Sequence, residues 1–138
     1  MTFREKSAWA MSALTLVTGL AYLRAVAAVP ADAPPLAQIG PLAIITFWVV
    51  IGSVAVQTVL AVMAPSEAQR PADERERPLI DKAGHWSAYV LTGAVLVGAF
   101  RFLLNGNGVE LFQWAMGGLI ASQLAEYALQ IVLFRRGS

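Results

Sequence analysis

The 138-residue sequence contains no cysteine. That excludes disulfide frameworks, thiolate metal sites and cysteine-based redox chemistry, and leaves the compartment open. Histidine occurs once, at His85, so one chain cannot ligate a haem through two imidazoles. Charge is scarce: 14% of residues are Asp, Glu, Lys or Arg, against about 25% in a soluble globular domain. The net charge is +1 and no basic run is interleaved with aromatics, so nucleic acid is not an expected partner. No glycine-rich phosphate loop occurs, and no nucleophile, base and orienting group come together. Hence no catalytic residue, metal ligand or cofactor is expected, and the chain reads as a non-enzyme.

What is present is apolar surface. The composition is 57% hydrophobic with a mean hydropathy of +0.60. Four runs stand out, over 8–29, 41–64, 79–102 and 111–134. Each has the roughly 20 residues that a helix needs to cross a bilayer. The first could pass for a secretory signal, but Arg24 falls between its apolar run and the small residues at 25–28, which favours a retained helix. The expected fold is all-α: a polytopic membrane protein, one domain over 1–138, built as a four-transmembrane-helix bundle.

Lys and Arg in short loops set orientation. Of the 10 basic residues only Arg24 and Arg101 fall on one side; both sit at helix ends, where they can snorkel. The others flank the first helix, the loop 65–78 and the end of the last helix. That side is expected to be cytoplasmic, with both termini. The loop is the only substantial aqueous segment, and its charges can pair at i, i+4, as Asp73 with Arg77 and Arg77 with Asp81. Pro78 is expected to open a helical turn.

The two halves resemble each other. The outgoing runs place Lys6, Trp9 and Arg24, then Lys82, Trp86 and Arg101, in the same order. The returning runs share W-x3-G-x4-Q, as Trp48, Gly52, Gln57 and again as Trp114, Gly118, Gln123. Interfacial Trp and flanking cations are generic; a glutamine at the same register twice is less so. The pattern suggests two duplicated parallel hairpins related by an axis along the membrane normal, with Glu126 falling where the first half has Leu60.

Glu126 is the one carboxylate deep in an apolar run. At about 100° per residue, Ser122, Gln123, Glu126 and Gln130 share one helix face. Gln57, His85, Gln123, Glu126 and Gln130 are therefore expected to form a polar cluster in the cytoplasmic half of the bundle. A carboxylate at the bilayer centre costs about 2.5–3.5 kcal/mol on insertion scales, so a role must offset that. Three stay open: a hydrogen bond joining helices, for instance to Gln57; a contact to another protomer; or a proton- or cation-responsive site. Small residues at Gly52, Ala94, Gly98, Gly118 and Ser122 are expected to let helices approach closely, as are Gly117, Ala121 and Ala125.

"FREKSAW" at 3–9 and "DERERPLIDKAGHWSAYVL" at 73–91 resemble a family of small uncharacterised bacterial integral membrane proteins with four predicted helices. Its members carry F-x-E-K-S-A-W and D-E-R-D/E-x-L-I. The sequence departs from that pattern at Pro78 and at His85. The resemblance implies a bacterial inner membrane. Together these features favour an accessory, regulatory or interaction subunit acting by helix packing, with lipids and a second copy or another membrane protein as partners. The alternative is a small proton-linked transporter or exporter using Glu126.

Overall fold

The computed structural model describes residues 2–137. Helices are the only regular elements among the described residues: α1 (Phe3–Ala27), α2 (Pro35–Met63), α3 (Pro65–Ala68), α4 (Glu76–Asn105) and α5 (Gly108–Gly137). All but the one-turn α3 are long and apolar enough to cross a membrane. The architecture is that of a multi-pass membrane helix bundle, the only way besides a closed barrel to satisfy backbone groups in lipid.

The helices overrun the apolar segments because their caps lie among polar residues. Thr2 caps α1, its Oγ1 accepting from Glu5 N at 3.2 Å. α2 starts at Pro35, where the missing N–H is no loss, and runs on through Pro41. The apolar run read from the sequence begins only at Pro41, and the correction is geometric. A proline in the second turn gives up one backbone hydrogen bond but already has the helical φ. At the other hairpin, Gly106 takes a left-handed φ of 68° and its N–H returns to Phe102 O. Asn107 then caps α5, its Oδ1 accepting from Val109 N and Glu110 N. The "NGNG" turn is thus a stop and a start in two residues.

At the start of α4, the Asp73 carbonyl accepts from Glu76 N and Arg77 N, and Pro78 sits in the first turn. The expected pairs of Arg77 with Asp73 and Asp81 do not form. Asp73 precedes the helix, and the Arg77 guanidinium turns back to the Ala72 carbonyl at 3.1 Å.

α1 and α5 form the central pair. α2 packs on α1, and α4 packs on α5 through the most extensive interface of the bundle. Among the described residues no comparable interface joins α2 to α4. Buried positions are mostly small: Ala8, Gly19, Ala83, Gly98, Gly118 and Ser122. Tyr22, Ile131 and Phe134 are the large exceptions. No described residue of α2 is buried. Large apolar side chains such as Val17, Ile44, Val62 and Leu103 point outward, as suits a chain whose solvent is hydrocarbon.

Candidate functional site

Polar chemistry gathers first at the end of the bundle that holds both termini. Arg4 reaches Glu76 Oε2 through Nε at 3.2 Å, and its Nη2 donates to the Arg70 carbonyl at 3.4 Å. Arg135 pairs with Glu5 at 3.4 Å and lies 5.4 Å over the Trp9 ring. The segments 3–9 and 73–91 thus meet through Arg4 and Glu76. Beside them lies a cleft of about 420 Å³ lined by Thr2, Phe3, Arg4, Glu67, Arg70 and Asp73, among others. Its charges are of both signs and already partly paired, so it has no strong preference for an anion or a cation. Each exposed ion pair contributes about 0–1 kcal/mol. Their combined effect is to tie the first turn of α1 to the loop and to the last turn of α5.

Within the spans, the five residues expected to cluster do not form one hydrogen-bonded network among the described residues. Gln57 pairs with Ser7, Nε2 donating to Oγ at 2.9 Å, and so joins α2 to α1. His85 Nε2 lies 3.1 Å from Tyr89 Oη, with the rings edge to face on an exposed side of α4. Glu126 Oε1 accepts from Gln130 Nε2 at 3.2 Å, one turn along the same helix. Gln123 is exposed and makes no side-chain hydrogen bond among the described residues. The physical reason is the packing order. α2 sits on the far side of α1, so Gln57 meets Ser7 and not the polar face of α5. Glu126 has a glutamine partner, but that bond joins no two helices.

The small residues are the ones that position the helices. A Cβ built at Gly118 would lie 2.6 Å from Ala94 Cβ, and one at Gly98 would lie 2.7 Å from Trp114 Cβ. At Gly52 it would meet Leu14 Cδ1 at 3.0 Å. Ser122 is buried, its Oγ turned back to the Leu119 carbonyl. The interleaved set behaves otherwise. Gly117 faces open space, and with Ala121, Gln113 and Trp114 it lines a shallow groove of about 290 Å³ beside α4.

Two contacts escaped the sequence reading. Gly19 of α1 sits against Ile120, and the Tyr22 hydroxyl donates to Gln113 Oε1 at 2.7 Å. Both join the hairpins. Arg101, expected only to snorkel, pairs with Glu110 Oε1 at 2.7 Å and locks the short turn.

Protein-family models, curated proteins and solved structures offer no match to this chain. Its function must therefore be argued from its own residues.

Proposed function

We propose that the chain is a non-enzymatic integral membrane protein of a bacterial inner membrane, an accessory or regulatory subunit that acts by packing its helices against a partner. The observation that carries this reading is Gln123. An exposed side-chain amide within a span, with no partner among the described residues, is costly in hydrocarbon, where polar groups find partners across helices. The small-residue contacts support the same reading, since close helix packing is the chemistry this sequence invests in. The two motif stretches and the charged loop tied to them by Arg4 give the partner an aqueous surface at the cytoplasmic end.

The test is Gln123→Leu. If Gln123 meets a partner helix, this change weakens association by roughly 0.6–2 kcal/mol, read as loss of the co-purifying protein in mild detergent. Unchanged association together with a more stable isolated chain would mean that Gln123 faces lipid, and the proposal fails.

A second reading, a proton-linked transporter, draws on Glu126. Its only side-chain bond among the described residues is to Gln130 on its own helix, so joining helices does not account for a carboxylate there. Glu126→Gln keeps that bond but cannot take up or release a proton. Normal assembly with lost proton-coupled transport would favour the transporter; retained association and function would favour the accessory subunit.

Both readings share an orientation. Reporters fused after Ser138 or within 66–75 are expected to register as cytoplasmic, and those inserted after Ala31 or Asn107 as external. A periplasmic C-terminus would overturn this orientation.

A further inference from the structure

The cleft at the end of the bundle that holds both termini has features that helix packing does not use. Its volume of about 420 Å³ falls within the range of small-molecule sites, roughly 300–1,000 Å³. Two arginines, Arg4 and Arg70, and three carboxylates, Glu67, Asp73 and Glu76, line it. Only one ion pair forms among them, between Arg4 and Glu76 at 3.2 Å. The side chains of Arg70 and Glu67 make no hydrogen bond or ion pair among the described residues. Asp73 spends Oδ1 on the Glu74 N–H at 2.8 Å and keeps its second oxygen for another donor.

An anion entering this cleft meets three carboxylates, and a cation meets two guanidinium groups. A ligand that carries both signs avoids both penalties, because each end turns to its opposite. The arginines suit a phosphate. Arg4 commits Nε to Glu76 and Nη2 to the Arg70 carbonyl, which leaves further N–H donors on its guanidinium. The second of these contacts brings Arg4 to the backbone of Arg70, and guanidinium groups bind phosphate oxygens in pairs. Glu67 and Asp73 supply oxygens for a primary ammonium, which has N–H donors to offer them.

The position of the cleft names the source of such a ligand. Phe3 opens α1 six residues before Trp9, about 9 Å along the helix, and an interfacial Trp sits at headgroup level. α2 ends at Met63, just before α3, and Glu76 opens α4. The cleft therefore lies where the spans leave the apolar layer, beside the headgroups of that leaflet. Phe3 and Pro71 add apolar wall to it. A soluble zwitterion has no need of this location, whereas a lipid headgroup is already held there by its own chains.

We infer that the cleft binds a phosphoethanolamine zwitterion, supplied as the headgroup of a membrane phospholipid, with Arg4 and Arg70 on its phosphate and Glu67 and Asp73 on its ammonium. The inference does not depend on which protein the helices pack against.

The full chain, freed of native lipid in mild detergent, is titrated with phosphatidylethanolamine, phosphatidylcholine or phosphatidylglycerol of the same acyl chains, and thermal unfolding is followed. Phosphatidylethanolamine is expected to reach half its stabilising effect at an about tenfold lower mole fraction than the others, because choline has no N–H to donate and glycerol has no ammonium. Glu67→Gln with Asp73→Asn is expected to erase that preference, and Arg70→Gln to weaken all three lipids alike. Neither variant breaks an ion pair of the described chain, and the carbonyl of residue 73 that caps α4 is retained. Lipid-free unfolding should therefore be unchanged. If the double variant is less stable, Glu67→Gln alone and Arg70→Gln carry the test, read as lipid retained in native mass spectrometry. Equal effects of the three lipids would overturn the inference, as would a phosphatidylethanolamine preference that survives every variant. Free phosphoethanolamine is the remaining arm: if it stabilises the chain at the same concentration as the lipid, the site stands and the lipid source is overturned.

Discussion

Gly118→Val is expected to destabilise the bundle by about 1–3 kcal/mol, the usual cost of overpacking a tight contact, while Gly117→Val one residue away stays within about 0.5 kcal/mol. The difference follows from what each new side chain would meet. At Gly118 the neighbour is Ala94 Cβ, 2.6 Å from the built position. A methyl fixed to the backbone cannot rotate aside, so α4 and α5 must separate. Lipid tails are as apolar as the side chains they would replace, so no hydrophobic force pulls the helices back. Separation also loosens Gly98, whose built Cβ lies 2.7 Å from Trp114 Cβ. Gly98→Val should therefore give a similar loss, and the double variant less than the sum, because an interface already opened has little left to lose. Gly19 is a comparable case. Its neighbour is Cγ2 of Ile120 at 2.7 Å, a methyl on a β-branched carbon whose χ1 is stiff in a helix. Detergent-driven unfolding of the four variants separates these outcomes. Equal loss from Gly117→Val and Gly118→Val would mean that small residues matter here only through helix propensity.

The four spans are legible in the sequence because each apolar run is long enough to cross a bilayer and nearly free of charge. Their ends are less legible. Thr2, Asp73 and Asn107 extend the helices into polar sequence, and a proline such as Pro41 reads as a stop wherever tertiary context is unknown. The packing glycines are legible as a type but not as a choice. Gly117 with Ala121 and Gly118 with Ser122 have the same spacing, and only the placement of α4 decides which pair it meets. The polar residues show the same limit. One face of α5 carries Glu126 and Gln130 together, as the periodicity says, but Gln57 could be assigned a partner only once α2 was known to lie beyond α1. Tyr22, close to Arg24, has the look of an interfacial aromatic. Nothing local says that it turns inward, since that follows from where α5 lies.

Tyr22→Ala is the change expected to loosen the contact between hairpins most. Tyr22 is 1% exposed, the largest side chain so deeply buried, and its hydroxyl donates to Gln113 across the α1–α5 interface. In a soluble core such a truncation costs about 3–5 kcal/mol, part of it the lost transfer from water. In a membrane that part is absent, because the alternative surroundings are also apolar. The void remains: on the order of 100 Å³ at about 24 cal/mol per Å³ gives roughly 2–3 kcal/mol. Tyr22→Phe isolates the hydrogen bond and is expected to lose about 0.6–1.7 kcal/mol. Its sign can be checked further, because the Gln113 Nε2 is already buried without a partner among the described residues. Removing the tyrosine hydroxyl strands the whole amide, whereas removing both polar groups strands nothing. Tyr22→Phe combined with Gln113→Leu should therefore be more stable than Tyr22→Phe alone. Tyr89→Ala, at an aromatic that is 58% exposed, serves as the comparison and should change little. If Tyr22→Ala proves no worse than Tyr89→Ala in detergent-driven unfolding, the hairpins are not held together through Tyr22, and the central pairing of α1 with α5 would need another source of cohesion.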